Sequence, residues 1–229
     1  GSGSEPSGSA PSPFGWAAEG LRSPSSRPDL EIGPPMPAPE FLSCPPARSI
    51  AYHRLRASGD GTGRPGVVFL GGFASDMTGT KATWLEGWAR ARGRAYLRFD
   101  YTGHGQSSGR FMDGCIGDWA RDAADALGQL TEGPQVLVGS SMGGWIALLL
   151  AKRHPERLAG LVGIAAAPDF TEDLVWQDLT EEERDRIVTE GNISVPSDYG
   201  EPMVLTHRLF ADGRENMVLR SPLPVPCPV

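Results

Sequence analysis

The chain has 229 residues, 39% of them hydrophobic, which is enough for one globular domain with an ordinary buried core. Its 21 basic and 28 acidic side chains give a net charge of −7, which argues against nucleic acid as a partner, and its apolar runs are too short for an integral membrane segment. The three cysteines, Cys44, Cys115 and Cys227, are odd in number and widely spaced, which argues against a disulfide framework and a zinc site and favours a reducing, cytoplasmic location.

The amino-terminal part, residues 1–45, is rich in Gly, Ser and Pro and begins GSGSEPSGSAPSP. We expect it to be disordered, because such a composition cannot bury enough apolar surface to offset the loss of chain entropy. Residues 1–35 are interpreted as non-native sequence, because the chain starts on Gly and the stretch MPAPEFLSC begins at Met36. Residues 46–229 are expected to form one partial α/β domain.

From about Ser49 onward, short apolar runs alternate with amphipathic segments of helix length. The runs SIAYHRL, GVVFLGG, RAYLRFD, QVLVGS and LAGLVGIAAA predict strands, the last four of them buried. Helices are predicted over about Thr80 to Arg92, Ile116 to Leu130 and Met142 to His154. The alternation predicts a mostly parallel sheet with helices on both faces.

The alternation stops after Ala167, and we predict a helical lid over residues 169–220, named here the lid segment. Within it, Thr180 and Glu183 form a capping box before a helix that ends at Gly191, and a second helix is predicted near Met203 to Phe210. A long segment of this kind between sheet elements is typical of a lid or a binding loop. The alternative is a peripheral excursion without a role in binding.

Two stretches match the pattern Gly-x-Ser-x-Gly, and only one of them has the context that nucleophilic chemistry needs. In a chain with 30 glycines, about 0.3 such matches arise by chance, so the motif alone is weak. GQSSG, which contains Ser107, neither follows a buried strand nor opens a helix. GSSMG, which contains Ser141, follows QVLV and opens WIALLLAKRH, so it supplies the strand, turn and helix of a nucleophile elbow.

Ser141 is therefore the candidate nucleophile. Gly139 and Gly143, two residues away on either side, allow the backbone to pass closely at a strained turn. The N–H of Met142 lies at the start of the following helix, where it can donate to an oxyanion. The alternative interpretation is a Gly-rich turn that only packs a helix on a strand.

A second oxyanion donor is predicted in the loop after an earlier strand. VVFLGGFASDM ends that strand in a pair of glycines, so Gly72 lets the backbone N–H of Phe73 approach the same oxygen. An ordinary glycine turn remains the alternative. No residue pattern indicates a metal or another cofactor.

These stretches together resemble the α/β-hydrolase superfamily: GGF after one strand, FDYTGHGQSSG after the next, and VGSSMGGW at the turn. More closely, GTKA, PERLAGLVGIA and the terminal SPLPVPCPV are similar to the group of mitochondrial palmitoyl-protein thioesterases and acyl-glucuronide esterases and their bacterial relatives, over about Ile50 to Val229. The resemblance implies a serine hydrolase with a Ser, Asp, His triad and no cofactor. It also implies small-molecule or lipid acyl esters or thioesters, or acylated proteins, as substrates, and a mitochondrial location as the alternative to the cytoplasm.

In that group the triad follows the order Ser, Asp, His along the chain. The resemblance places both partners of Ser141 beyond Val229, so we expect the last strands of the sheet to be missing. The chain has four histidines, namely His53, His104, His154 and His207. None is a good substitute for the base, and Asp169 as the acid of a rearranged triad is kept as an alternative.

The leading prediction is thus an incomplete, weakly active acyl thioesterase or carboxylesterase that acts through an acyl-enzyme on Ser141. Another hydrolase on the same fold, such as a lipase-like enzyme, is the first alternative. A non-catalytic acyl-binding protein on a truncated hydrolase fold is the second, because an acyl-sized pocket can persist without a triad.

Overall fold

The computed structural model describes residues 37–196 and 202–229. The predictions made for residues 1–36 lie outside these ranges. The described part contains a six-stranded sheet with helices on both faces, so the predicted fold class is correct. Its strands are β1 (Glu40–Cys44), β2 (Arg48–Leu55), β3 (Val67–Leu70), β4 (Tyr96–Phe99), β5 (Gln135–Ser140) and β6 (Leu158–Ile164).

The strand order in the sheet is β1-β2-β4-β3-β5-β6. The first two pairings, β1 with β2 and β2 with β4, are antiparallel, whereas β4, β3, β5 and β6 run parallel. Because β3 lies between β4 and β5, the loops that leave β3 and β5 emerge side by side at the carboxyl edge of the sheet. Ligands of open α/β sheets bind at such a position.

Three helices cover the sheet: α1 (Thr80–Ala91), α2 (Ile116–Leu130) and α3 (Met142–Arg153). Each lies where its sequence pattern predicts, with ends that agree to within one residue. α2 and α3 pack on one face around the larger core, which includes the fully buried Trp119 and Trp145. α1 covers the other face with a smaller cluster that includes Phe69 and Tyr96.

At the β6 edge of the sheet, some strand residues remain accessible. Val162 and Ile164 are 46% and 36% exposed. The N–H of Leu161 donates to the carbonyl of Pro228 at 3.0 Å, so the end of the chain lies against this edge.

The lid segment contains more strand than predicted. After a π-helical turn, Thr171–Val175, its elements are α4 (Trp176–Asp178), α5 (Glu181–Glu190), β7 (Asn192–Val195), β8 (Met203–Thr206) and α6 (His207–Glu215). The capping box at Thr180 and the left-handed Gly191 bound α5 as predicted. No helix in the described ranges is long and apolar enough to span a bilayer.

Two sequence predictions are wrong. The disorder predicted for residues 1–45 is wrong for β1, because Glu40–Cys44 pairs with β2 and the sheet orders a short strand that lies between proline-rich stretches. The helix predicted near Met203 to Phe210 begins only at His207. Met203–Thr206 instead pairs with β7, and the Thr206 hydroxyl accepts a hydrogen bond from Leu209 N–H and caps the helix that follows.

Candidate functional site

Ser141 occupies the sharp turn between β5 and α3. Its φ of 53° and ψ of −120° lie in a region that residues other than glycine rarely adopt, and they turn the chain directly from strand into helix. Three backbone hydrogen bonds hold this conformation: Ser141 N–H donates to Ile164, and its carbonyl accepts from Gly144 and Ala167. The predicted elbow geometry is confirmed, while the chemical role of the serine stays a prediction.

The glycines of the motif are required by close packing. A Cβ on Gly139 would collide with the backbone of Gly143, and a Cβ on Gly143 would collide with the carbonyl oxygen of Leu70 at the end of β3. α3 therefore starts in direct contact with the neighbouring strand. Because α3 is apolar on nearly every side and almost fully buried, its amino terminus is rigidly placed beneath the serine.

The loop that leaves β3 lies against Ser141. A Cβ on Gly72 would be 3.4 Å from Cβ of Ser141, so the next peptide, which carries the N–H of Phe73, is adjacent to the serine. Ala74 follows with a φ of 54°, a second strained residue beside the site. The N–H of Met142, at the first position of α3, has no carbonyl available in a preceding turn.

Buried charges position this loop. Asp100, at the end of β4, accepts hydrogen bonds from Met77 N–H at 2.7 Å and Gln106 N–H at 2.9 Å, so one carboxylate joins the loops after β3 and β4. Burial raises its pKa above the usual range. The fully buried Arg98 donates to the carbonyl of Met77 and to Glu86 on α1.

Aromatic packing also fixes the Phe73 loop. The ring of Phe73 makes edge contacts with Phe111 at 4.9 Å, Phe170 at 5.6 Å and Trp119 at 5.8 Å between centroids. These neighbours come from the body of the domain and from the start of the lid segment. The backbone of Phe73 is therefore anchored by its own side chain.

A cavity of about 950 Å³ opens beside Ser141 and is lined mainly by apolar side chains. Phe111 and Met112, in the 3-10 turn Phe111–Asp113, line it from the body, and Met203 and Val204 of β8 line it from the lid segment. Lys81 is the cation on α1 that faces it. Such a space suits an acyl chain whose carbonyl lies next to a serine hydroxyl.

Ser107 has a structural position, as predicted for the second motif. It lies in the loop after β4, where its hydroxyl donates to the carbonyl of Asp100 at 2.6 Å and accepts from Ala51 N–H at 2.8 Å. Both bonds join the loop to the sheet. The hydroxyl of Ser107 thus both donates and accepts a hydrogen bond, and Ser107 does not line the cavity.

In the two described ranges, no histidine hydrogen-bonds to the hydroxyl of Ser141. His104 is buried among Tyr101, Phe111 and Trp119, and its Nδ1 contacts the carbonyl of Thr102 at 3.3 Å. Burial lowers its pKa to about 4, so the ring is neutral at physiological pH. The remaining histidines lie on β2, at the far end of α3 and at the start of α6: His53, His154 and His207.

Asp169, the alternative acid, is engaged elsewhere. Its oxygens accept from the backbone N–H groups of Val218 at 2.8 Å and Leu219 at 2.9 Å. Since both oxygens bind backbone, the side chain links the two ends of the lid segment. It contacts none of the four histidines.

Sequence reasoning missed three parts of the site: the charged support under the Phe73 loop, the strained Ala74, and Ala165, which lines the cavity with a φ of 44°. Only Asp100 had a signal, since it belongs to the quoted FDYTGHG stretch. The others depend on contacts between distant segments. Among the described residues, no cluster of three or more His, Cys, Asp or Glu side chains could hold a metal ion.

The known proteins that this chain resembles in sequence and in structure are alpha/beta hydrolases. A sequence profile of the alpha/beta hydrolase family matches residues 67–224. The mitochondrial palmitoyl-protein thioesterase ABHD10 of Bos taurus is 38% identical over 193 residues, which cover 82% of this chain and 60% of that protein. The chain thus spans about 60% of the length of the curated relatives that it matches.

Two solved structures share both the fold and appreciable sequence identity. A protein of Agrobacterium vitis S4 is 40% identical with a TM-score of 0.78, and the match covers 85% of this chain and 78% of that one. The mouse alpha/beta hydrolase domain-containing protein 10 is 34% identical with a TM-score of 0.74, covering 84% and 76% of the two chains.

Proposed function

Because the chain belongs to the alpha/beta hydrolase family, we propose that it is a serine hydrolase for acyl thioesters or carboxylic esters, acting through an acyl-enzyme on Ser141. The observation that carries the proposal is the strained elbow at Ser141 beside an apolar cavity of about 950 Å³. At Ser141 the positive φ occurs in a strand-to-helix turn, which is the position at which a nucleophile presents its hydroxyl above the sheet edge.

In the proposed reaction, Ser141 Oγ attacks the acyl carbonyl and its proton passes to a base. The oxygen that becomes negative accepts from the N–H groups of Phe73 and Met142, which need no reorientation because both loops are held by packing. Collapse of the tetrahedral intermediate expels the thiolate or alkoxide, which takes up a proton. Water then cleaves the acyl-enzyme and releases the carboxylic acid.

The cavity and the relatives both support this substrate class. Apolar side chains line the space beside Ser141, as an acyl chain requires. The ABHD10 relatives are palmitoyl-protein thioesterases by name, and we extend acyl thioester or ester cleavage to this chain. Small-molecule, lipid and protein carriers of the acyl group are all compatible with this proposal.

We propose further that the acid and the base completing the triad come from outside the described residues. Support comes from the four histidines, none of which bonds to Ser141 in the described ranges. The chain is then expected to be weakly active, with residual catalysis from the oxyanion donors. This same observation favours a second candidate function, acyl binding without turnover.

Labelling with a fluorophosphonate, followed by peptide mass spectrometry, tests the assignment of the nucleophile. The adduct is expected on Ser141, and it should disappear in Ser141→Ala but persist in Ser107→Ala. An adduct on Ser107, or on neither serine after prolonged exposure, would refute the proposal. Release of thiol from an acyl thioester separates a hydrolase from a protein that only binds acyl groups.

The ABHD10 relatives are named as mitochondrial proteins, which supports the mitochondrial alternative over the cytoplasm. All three cysteines are free thiols, which suits a reducing compartment and does not favour the cytoplasm over the mitochondrion. Fractionation of cells that express the native gene would locate the protein.

A further inference from the structure

One wall of the cavity belongs to the lid segment, and its position depends on how that segment is attached. Met203 and Val204 of β8 line the cavity next to Phe111 and Met112 of the 3-10 turn, with which β8 is in contact. β8 leads directly into α6 without an intervening loop. Whatever holds α6 in place therefore also sets the position of the β8 side chains relative to those of the 3-10 turn.

Arg208, in the first turn of α6, makes the first attachment. Its Nη1 donates to the carbonyl of Asp113 at 2.7 Å, and its Nη2 donates to Oδ2 of Asp118 at 2.6 Å. Asp113 is the last residue of the turn that carries Phe111 and Met112. The guanidinium of Arg208 thus connects α6, which follows β8, to the 3-10 turn that carries Phe111 and Met112.

Asp212, one helical turn later, makes the second attachment. Its Oδ2 accepts from the backbone N–H of Gly117 at 2.7 Å, in the first turn of α2. That N–H has no partner within its own helix, and the positive end of the helix dipole favours a carboxylate there. Two contacts on consecutive turns of α6 prevent it from pivoting about either one.

We propose that this clip, formed by the side chains of Arg208 and Asp212, determines which acyl chains the cavity accepts. The inference rests on the proposed function, because it takes the cavity to be the acyl site. When β8 is held in a fixed position, the acyl chains that fill the cavity bind best. When β8 is free to move, the cavity adapts to acyl chains of several lengths. Neither side chain lines the cavity, so both act as positioning residues.

Binding of octanoate, dodecanoate and hexadecanoate, measured by displacement of a fluorescent fatty acid, tests the clip without requiring turnover. In Arg208→Ala the ratio of the Kd values for the longest and shortest acids is expected to change by about tenfold. Arg208→Lys should restore part of the selectivity, and Asp212→Asn should shift it in the same direction as Arg208→Ala. The matched control is Arg186→Ala, because Arg186 pairs with Glu190 within α5 and makes no hydrogen bond or ion pair with the described residues of α6.

Thermal unfolding of the same samples separates selectivity from folding. Should Arg208→Ala fail to fold, Asp118→Asn, which weakens the same contact but keeps an acceptor, is expected to change the ratio by a smaller factor. Unchanged ratios in the folded variants would overturn the clip. If the unmodified chain binds none of the acids, both the acyl site and the role of the clip are refuted. Labelling of Ser141 tests the proposed serine hydrolase separately.

Discussion

The carboxylate of Asp169 accepts a hydrogen bond of 2.8 Å from the backbone N–H of Val218, although the two residues are 49 positions apart. Its second oxygen accepts from Leu219 at 2.9 Å. Asp169 is fully buried and has a φ of 56°. The two bonds close the lid segment at its base, where the chain leaves the sheet and where it returns.

Replacing Asp169 is expected to destabilise the domain. Asp169→Ala removes two charge-assisted bonds, leaves the N–H of Val218 unsatisfied, and puts at positive φ a residue that tolerates it less well than aspartate, at a cost of about 2–4 kcal/mol. Asp169→Asn keeps one acceptor and tolerates the left-handed region, so about 1–2 kcal/mol is expected. Urea unfolding measures both, and equal free energies of unfolding for all three chains would contradict this role.

Some elements were predictable because their signal is local. The apolar spacing of α2 identifies Ile116–Leu130 with the observed bounds. The elbow at Ser141 was likewise predictable, since strand, glycines and apolar helix follow one another within a short stretch. Every cue there points to the same conformation.

The lid segment was less predictable because its structure depends on distant pairing. The apolar residues of MVLTHRLF fit a helix or a strand, and β7 decides the matter by pairing with Met203–Thr206. The N–H groups that donate to the Asp169 carboxylate lie about 50 positions further along the chain, and the cavity wall of β8 is likewise distant in sequence from Ser141. Such contacts leave no periodic pattern in the sequence.

His104 is expected to make stability depend on pH. Burial lowers its pKa from 6.5 to about 4 in the folded state, so the unfolded chain binds the proton more readily. Stability contributed by the neutral ring is complete above about pH 6.5 and is lost as the pH falls towards 4, by about 3 kcal/mol in total. Unfolding free energies measured across that range test the expectation.

His104→Phe should flatten this pH profile, because it keeps an aromatic ring in the cluster and removes the titrating group. The exposed His207→Gln serves as the control and should leave the profile unchanged. If the steep part of the profile survives in His104→Phe, another group is responsible for it.

Gly143→Ala is expected to prevent stable folding. Its Cβ would overlap the carbonyl of Leu70, which is backbone and cannot move aside, so a loss above about 3 kcal/mol follows. The matched control is Gly128→Ala on α2, where a Cβ meets nothing within 4 Å. That change should stabilise the domain by about 0.5–1 kcal/mol, because alanine favours the helix. Similar melting temperatures for the two variants would argue against the packed elbow.

Ser141 is expected to react slowly with a fluorophosphonate, because no histidine in the described ranges bonds to its hydroxyl and loss of a triad base costs about 10⁴-fold or more. Imidazole added to the buffer should accelerate the labelling, since the cavity of about 950 Å³ has room for a small base beside the serine. Ser141→Ala must remove the accelerated signal, and Ser107→Ala must retain it. Rapid labelling without imidazole would instead mean that a histidine of this chain reaches Ser141, and substitution of His104 and His207 would then identify it.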